Sequence, residues 1–218
     1  MNNLTLRIDL HVHTCYSHDG ITTPNQLIAY SKKKGLDGVA ITDHDTIRGA
    51  LKLADSKELI IIPGIEISTL QGHVIALNVT EQIPPNLSVS ETIEKTHELN
   101  GIAIAAHPSV MLKGLRMRVC RDLNFDAIEV INSAAFPFSV STYFNRKIAV
   151  NLNLPQTGGS DAHYAPEIGS AYTLVEADPE IDDIAEAIRK GATIPFGNAI
   201  PWRIRLEKEV FSLKRKLR

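Results

Sequence analysis

Nine side chains suited to binding divalent metal ions are distributed along the chain. Most stand in short motifs where an apolar stretch, a candidate strand, comes to an end. One ion takes about three to six protein ligands, so nine ligands with a shared carboxylate could hold two or three ions. These residues are His11, His13, Asp19, His44, Glu66, His73, His107, Asp161 and His163. Their types and number indicate a multinuclear hydrolytic metal centre.

Two motifs with the same spacing stand near opposite ends of the chain. In HVH, His11 and His13 are two residues apart in a predicted strand, so both rings point to one side, which Asp9 shares. In GGSDAH, Asp161 and His163 repeat this spacing after two glycines that allow close backbone approach. A single His is usually an ordinary core or surface residue, whereas the paired motifs favour a metal site.

Three further candidates follow apolar segments. His44 is flanked in TDHD by Asp43 and Asp45, which are expected to hold its second ring nitrogen and fix its tautomer. Glu66 follows the run LIII, where a buried carboxylate is costly unless it is paired or coordinating. It is therefore the candidate bridge between two ions. His107 ends the segment IAIAAH in a similar way.

Asp19 and His73 depend more on their surroundings. Asp19 lies in a loop where Gly20 permits a sharp turn, and an ordinary turn aspartate is the alternative. His73 belongs to a predicted hairpin of Gly64–Thr69 and His73–Val79, which would bring it toward Glu66. A surface histidine is the alternative at that position.

Short apolar runs alternate with amphipathic stretches, as is typical of repeated βα units. The predicted strands are Arg7–Val12, Gly38–Ile41, Ile60–Pro63, Ile102–Ala105, Ala127–Val130, Gln156–Gly158 and Ala171–Val175. The predicted helices include Pro24–Lys34, Ser90–Asn100 and Asp182–Lys190. Thr23 and Ser90 are expected to cap helices, and Gly35 and Gly191 to end them.

Composition fits one globular domain: 218 residues, 44% hydrophobic and 22% charged, with a net charge of -2. That charge gives no global attraction to nucleic acid or membrane, but the segment 203–218 carries +5. A solvated helix end or a docking site for nucleic acid or a partner would explain this basic tail. Cys15 and Cys120 form no disulfide framework, and no signal peptide or membrane segment is expected, which favours a cytoplasmic protein.

The order DLHVHT, TDHDT, PGIEIS, GHVIAL, AHP, EVIN and GSDAH resembles the polymerase and histidinol phosphatase (PHP) superfamily over nearly the whole chain. The resemblance implies a single α/β domain with a distorted (β/α)7, TIM-like barrel and metals at the carboxyl ends of the strands. The expected PHP domain spans residues 1–200, and the basic tail or helix 201–218 belongs to it.

The resemblance also implies a trinuclear site of Mn, Fe or Zn ions, with Mg possible. The first ion would take His11, His13, Glu66 and Asp161; the second Glu66, His73 and His107; the third Asp19, His44 and His163. Supporting roles are expected for Asp9, Asp43, Asp45 and Asn132.

The implied reaction is phosphoester hydrolysis by a metal-bound hydroxide. Glu66, Asp161 and His163 are the expected catalytic residues, and metal-bound water, Asp161 or His163 could protonate the leaving group. Candidate phosphate contacts are Lys113, Arg116, Arg118 and Arg146. Only about 40 residues separate Glu66 from His107, which leaves no room for a large lid and predicts an open pocket.

Several functions agree with such a site. The first hypothesis is a phosphatase acting on a nucleotide or another small phosphate ester, and the second is an exonuclease trimming short oligonucleotides. A third is a non-enzymatic PHP module that docks a DNA polymerase or repair partner. An amidohydrolase is a further alternative, although no lysine for a carbamylated bridge stands at a predicted strand end. No membrane association and no obligate protein partner are expected.

Overall fold

The computed structural model describes residues 4–109, 115 and 120–216, and within them nine strands, six α-helices and a short 3-10 helix, Ala165–Glu167. The strands are β1 (Leu4–Val12), β2 (Gly38–Ile41), β3 (Ile60–Thr69), β4 (Gly72–Leu77), β5 (Ile102–Ala105), β6 (Ala127–Asn132), β7 (Gln156–Gly159), β8 (Ala171–Ala177) and β9 (Thr193–Gly197). The helices are α1 (Pro24–Lys33), α2 (Arg48–Leu53), α3 (Val89–Glu98), α4 (Phe138–Leu152), α5 (Ile181–Arg189) and α6 (Trp202–Lys216).

All nine strands form one sheet in the order β7-β6-β5-β4-β3-β2-β1-β8-β9. Its edges approach each other, because Thr173 of β8 exchanges hydrogen bonds of 2.8 and 2.9 Å with the backbone of Gly158 in β7. Thr193 of β9 also donates to the carbonyl of Gln156, at 2.9 Å. The sheet is thus a nearly closed barrel, and the predicted fold class is confirmed.

The barrel departs from a regular βα repeat in the direction of its strands. Pairs β1-β2, β2-β3, β5-β6 and β6-β7 are parallel, as expected for βα units. Strand β8 instead runs antiparallel to β1, and β9 runs antiparallel to β8. Strand β9 was not predicted, because its residues alternate between exposed and half-buried and form no apolar run.

The predicted hairpin is present as β3 and β4, which pair antiparallel from Gly64–Leu77 to Thr69–Gly72. Thr23 caps α1 as predicted, and Gly35 follows this helix with a φ of 67°. The predicted cap at Ser90 is wrong. Ser88 caps α3 instead, because it stands three residues before Glu91 and the two form a reciprocal capping box.

The barrel is held by branched apolar side chains that are buried on most of its strands. Every residue of β2, β5 and β6 is buried, as expected for strands covered on both sides. Helix α5 packs into the same core through Ile184 and Ile188. Among the described residues, no helix combines the length and apolar character that a membrane crossing requires.

The parallel strands bring their carboxyl ends to one rim of the barrel, as in other βα barrels. His13 follows the end of β1, His44 lies three residues beyond β2, and His107 lies two beyond β5. Asp161 follows β7 in the same way, two residues after its end. The fold therefore delivers residues that are far apart in sequence to a single place.

We expect Ile104→Ala to lower the free energy of unfolding by about 2–5 kcal/mol, because Ile104 is 1% exposed in the core and its truncation leaves a cavity. Ile194→Ala is the matched control, since Ile194 is 54% exposed and its loss should cost less than about 1 kcal/mol. Urea unfolding of both variants measures the difference. Equal losses would contradict this description of the core.

Candidate metal centre

The carboxylate of Glu66 is the centre of the site. It is 1% exposed and lies within hydrogen-bonding distance of several imidazole rings. Its Oε2 is 3.1 Å from Nε2 of His11, 3.2 Å from Nε2 of His13 and 3.3 Å from Nδ1 of His44, and its Oε1 is 2.8 Å from Nδ1 of His73 and 3.0 Å from Nε2 of His107. One buried carboxylate thus contacts five rings, which come from three different strand ends and a hairpin.

Asp161 forms a second focus of contacts. Its Oδ1 lies 3.2 Å from Nε2 of His13 and 3.4 Å from Nε2 of His11. The backbone explains this placement, because the amide of Asp161 donates to the carbonyl of His11 and that of His13 donates to Ala162. Gly159 allows this approach, since a Cβ there would stand 2.4 Å from Cβ of His11. The two motifs with equal spacing therefore meet.

Asp19 lies at the outer side of the cluster. Its Oδ2 is 3.1 Å from Nε2 of His163 and 3.6 Å from Nε2 of His44, while its Oδ1 accepts a hydrogen bond from Ser17. The aspartate of this turn therefore faces two of the candidate ligands.

Within the described residues, candidate ligand atoms that all lie within 4.8 Å of one another define three groups. The groups are His11, His13, Glu66 and Asp161; His44, Glu66 and His73; and His13, Asp19, His44 and His163. The first group is the same set of residues that the family resemblance implies for the first ion. The third group contains the set implied for the third ion and, in addition, His13. The second contains His44 in place of His107, although His107 still contacts Glu66. Nitrogen and carboxylate oxygen donors of this kind fit Mn, Fe or Zn ions, and the shared members would place such ions next to one another.

The carboxylates of the cluster remain anionic despite their burial. Burial alone would raise the pKa of Glu66, but the charge of His11 and the hydrogen bonds of His107, His11 and His13 hold it well below its usual value. Burial opposes ionisation of Asp161 too, and there the charge of His11 and the hydrogen bond of His13 lower the pKa well below its usual value.

The pKa values of the histidines in the cluster shift in opposite directions. Burial would lower the pKa of His11, but the charges of Asp161, Glu129 and Glu66 raise it well above 6.5. The pKa of His13 is raised to about 9, because hydrogen bonds with Asp161 and Glu66 outweigh its burial. Burial dominates at His44 and lowers its pKa to about 4. The raised pKa values of His11 and His13 favour protonated rings, whose positive charge offsets part of the carboxylate charge as a metal ion would.

Glu129 is a supporting residue that sequence reasoning missed. Its Oε1 lies 2.8 Å from Nδ1 of His11, and its Oε2 accepts from the backbone of His107 at 2.9 Å and from Asn132 at 3.1 Å. A carboxylate at Nδ1 fixes the tautomer of His11 that leaves Nε2 available to a metal. The available signal was a single Glu in the otherwise apolar stretch AIEVI of β6.

Two of the predicted supporting residues contact the candidate ligands directly. Asn132 donates to Oδ2 of Asp161 at 3.1 Å. Asp9 accepts hydrogen bonds from the backbone of His11 and, at 2.8 Å, from that of Ser160, which joins β1 to the segment after β7. Burial raises the pKa of Asp9 to about 6, against the lowering effect of hydrogen bonds led by Ser160.

The prediction that Asp43 and Asp45 hold the ring of His44 is wrong. Asp43 accepts from the backbone and hydroxyl of Thr14, at 2.6 and 2.7 Å, and Asp45 accepts from the backbone of Ser68 at 2.7 Å. Side chains of adjacent residues in extended backbone point in opposite directions, so Asp43 turns away from the ring beside it. The nitrogens of His44 face Glu66 and Asp19 instead.

The predicted phosphate contacts divide into two cases. Lys113, Arg116 and Arg118 lie outside the residues that the structure describes. Arg146 is exposed on α4, directly after Asn145, which accepts from the backbone of Ser109 at 2.9 Å. That bond fixes α4 near the segment after His107, and Arg146 stays a candidate.

A cavity of about 590 Å³ opens beside the outer part of the cluster. Asp19 and His163 form one side of it, and Arg205 and Lys208 of α6 line it as well. Cavities of this size are typical of sites for small organic ligands. The barrel, the buried carboxylates and the cavity together define the class of a metal-dependent hydrolase.

Comparison with known proteins gives the family. A family model described as PHP domain matches residues 9–134, more than half of the chain, and one described as PHP-associated matches residues 145–193. The chain belongs to the PHP family, as its sequence motifs indicated. It is accordingly a metal-dependent phosphoesterase, a hydrolase.

Two relatives show how far the similarity extends. An uncharacterized protein of Methanocaldococcus jannaschii is 42% identical over 142 residues, which are 59% of this chain and 82% of that protein. A 5′-3′ exoribonuclease of Haemophilus influenzae is 31% identical over 108 residues, which are 46% of this chain and 39% of the enzyme.

Solved structures share the fold. A two-domain protein of Bacteroides vulgatus that contains a predicted PHP-like metal-dependent phosphoesterase superposes with a TM-score of 0.72 at 18% identity, covering 90% of this chain and 66% of that one. The lesion-specific endonuclease Q of Pyrococcus furiosus gives a TM-score of 0.70 at 20% identity, covering 88% and 58%. At these identities the likeness establishes the barrel, and the chain spans less than two thirds of both proteins.

We expect Glu129→Gln to weaken metal binding by about 10- to 100-fold, because an amide cannot accept all the hydrogen bonds that hold His11 and His107. Competition with a chelating indicator dye measures the affinity. Glu176→Gln, an exposed change on β8, is the matched control and should bind metal as the unmodified protein does. Equal affinity in both variants would show that Glu129 does not support the centre.

We expect Mn²⁺ binding near pH 7.5 to release about one to two protons, since His11 and His13 must lose theirs to coordinate. The pKa of each is raised in the metal-free protein, so protons compete more strongly as the pH falls. Calorimetric titration in buffers of different ionisation enthalpy measures the release. An observed heat that is independent of the buffer would contradict this description of the charges.

Proposed function

We propose that the protein hydrolyses a phosphomonoester, a nucleotide or another small phosphate ester, at a site for three divalent metal ions. The observation that carries this proposal is the buried carboxylate of Glu66, which five imidazoles surround at 2.8 to 3.3 Å. Buried ionised groups must be paired or bind metal, and imidazoles that converge on one shared carboxylate are the donors of a multinuclear metal site.

The nine candidate ligands divide by position in the cluster. We assign His11, His13, Glu66 and Asp161 to a first ion, Glu66, His73 and His107 to a second with His44 nearby, and Asp19, His44 and His163 to a third. Mn, Fe and Zn fit these donors, and Mg is possible. When bound, such ions supply activation of water near neutral pH and neutralisation of phosphate charge.

The solvent exposure of the candidate ligands separates those that only position the metal centre from those that can reach a substrate. The side chains of His11, His13 and Glu66 are at most 1% exposed, which suits residues that only position the reaction centre. Asp161 and His163 are each 16% exposed, and His163 lines the cavity. Both can therefore meet the leaving oxygen of a bound ester, and we assign protonation of that oxygen to His163, because the low pKa of Asp161 keeps its carboxylate anionic.

The second candidate function is exonucleolytic trimming of a short oligonucleotide. The cavity borders two cationic residues of α6, and the Haemophilus relative is by name an exoribonuclease. A non-enzymatic module that docks a polymerase or repair partner has less support, since all nine ligand positions are filled and most contact one another.

Two further assignments complete the proposal. We infer a cytoplasmic location from Cys15 and Cys120, which are both free thiols, as is usual in that compartment. We also assign residues 1–200 to the PHP domain and 201–218 to the same domain, because α6 bonds to the loop after β6.

We expect the purified protein to release inorganic phosphate from at least one nucleotide when Mn²⁺ is supplied, and EDTA to abolish the release. Asp161→Asn should reduce kcat by on the order of a hundredfold or more, because it removes a charged candidate metal ligand. Asp183→Asn, an exposed change on α5, is the control. Absence of metal-stimulated release from every nucleotide and sugar phosphate tested would refute the phosphatase.

A 5′-labelled oligonucleotide separates the two candidate functions. A phosphatase releases the terminal phosphate and leaves internal linkages intact, whereas an exonuclease releases mononucleotides one after another. Gel electrophoresis of the products, with Asp161→Asn as the inactive control, distinguishes these patterns.

A further inference from the structure

Glu167 is a fully buried carboxylate outside the set of candidate ligands. It is the last residue of the short 3-10 helix Ala165–Glu167 and follows the candidate ligand His163 by four residues. Its Oε2 accepts hydrogen bonds from the backbone amides of His163, at 2.9 Å, and of Tyr164, at 3.0 Å. Hydrogen bonds to a carboxylate are stronger than those between neutral groups. Glu167 therefore holds His163 firmly, through the backbone rather than through the ring.

The direction in which the ring of His163 points depends on this backbone. The carbonyl of His163 accepts a hydrogen bond from the amide of Ile21 at 2.9 Å, and Nδ1 of the ring lies 3.0 Å from the carbonyl of Asp161. Nε2 then faces Oδ2 of Asp19 at 3.1 Å. A shift of the backbone would carry Nε2 away from Asp19, and the third metal position would lose its shape.

The second oxygen of Glu167 depends on a residue of α6. Among the described residues, Oε1 accepts no hydrogen bond, and the only cation within ion-pair distance of it is Nζ of Lys208, at 3.2 Å. The side chain of Lys208 is 25% exposed and lines the cavity beside His163. A buried carboxylate that loses its partner keeps an uncompensated charge, which is strongly destabilising. The segment that carries His163 therefore relies on a helix that lies beyond both family matches.

Helix α6 has an anchor of its own, so Lys208 is not required to attach it. The Nε of Arg205 donates to the carbonyl of Ile200 at 3.2 Å, and its Nη2 donates to the carbonyls of Ser133 and Ala134 at 3.1 Å each. These bonds fix the helix against the loop after β6. The ion pair of Lys208 consequently acts on the other partner, the segment around Glu167.

We propose that Glu167 and Lys208 are positioning residues of the third metal position. Their ion pair holds His163 where it can share an ion with Asp19 and His44. The inference rests on the three-ion centre of the proposed function and adds two residues that support it. Partners that orient metal ligands typically contribute about 10- to 100-fold to metal affinity.

The sign of the effect distinguishes positioning from simple electrostatics. Lys208 is a cation beside a site for cations, so its charge alone opposes metal binding, and its removal would tighten binding. If Lys208 acts by compensating Glu167 and thereby fixing His163, its removal weakens binding instead.

The experiment counts metal ions and needs no substrate. Equilibrium dialysis against a series of Mn²⁺ concentrations, followed by measurement of the manganese bound per chain by mass spectrometry, gives the affinity for each ion. The variants are Lys208→Met, Lys208→Arg and Arg203→Met. Arg203 is the matched control because it is a cation of the same helix, is 89% exposed, and forms its ion pair with Glu207 away from the cavity lining.

We expect Lys208→Met to weaken binding of the most weakly held ion by about 10- to 100-fold and to leave the other two ions unaffected. Lys208→Arg should retain part of this affinity, because it keeps the charge, and Arg203→Met should bind as the unmodified protein does. Unchanged or tighter binding in Lys208→Met overturns the proposal. An unmodified protein that binds fewer than three ions overturns it as well.

Two double variants decide the question even if Lys208→Met does not fold. Glu167→Gln and Glu167→Ala, each combined with Lys208→Met, leave no unpaired buried charge. Gln retains an oxygen that can accept from the amides of His163 and Tyr164, whereas Ala has none. The last ion should bind about tenfold or more weakly to the variant with Ala than to the one with Gln, and equal affinities contradict the proposal. Thermal unfolding in EDTA provides the control, since a purely structural role would lower the unfolding temperature without a change in metal affinity.

Metal counting also separates this proposal from the proposed activity. Three ions on the unmodified protein, with the last one weakened in Lys208→Met, support the inference even if no phosphate ester is hydrolysed. Metal-stimulated phosphatase activity together with unchanged metal binding in Lys208→Met refutes the inference and leaves the activity established.

Discussion

The site depends on the cost of burying the carboxylate of Glu66. A carboxylate that is 1% exposed is stable only if neighbouring groups replace the water it has lost. Here the replacement is a set of imidazoles, and these in turn need partners for their remaining nitrogens. Glu129 supplies one for His11, and Asp161 shares its oxygen between His11 and His13. Each contact thus makes the next one necessary, and the cluster extends outward until it reaches the solvent at Asp19.

The way in which the barrel closes brings the residues of this cluster together. Parallel strands place their carboxyl ends at one rim, but the rim becomes a closed site only because β7 is drawn against β1. The backbone bonds between Asp161 and His11 and between His13 and Ala162 make that connection. The absence of side chains at Gly158 and Gly159 of β7 allows this close approach, because a Cβ at Gly159 would collide with His11. Packing and chemistry therefore impose the same requirement on this strand.

Much of this arrangement could be predicted from the sequence, because ligand spacing and strand ends are local features. HVH and GSDAH each carry their own geometry, and the resemblance of the ordered motifs to the PHP family indicated how they combine. Contacts between distant segments could not be predicted in this way. The role of Glu129 depends on β6 lying beside β1, and Asp43 and Asp45 were misassigned because their partners Thr14 and Ser68 come from other segments. Strand β9 carries no apolar run, so it was not predicted.

A gradient of exposure runs through the candidate ligands and has a chemical consequence. His11, His13 and Glu66 are sealed in the barrel, where the fold itself compensates their charges, whereas Asp19 is 33% exposed at the cavity. Groups at the sealed end cannot reach a substrate and can only orient the centre. The groups at the open end border Arg205 and Lys208. The open end is where a substrate can contact the chain, and part of its lining comes from α6, which lies outside the regions matched to the family. The barrel provides the hydrolytic centre, and the helix that follows it contributes charged side chains to the cavity beside that centre.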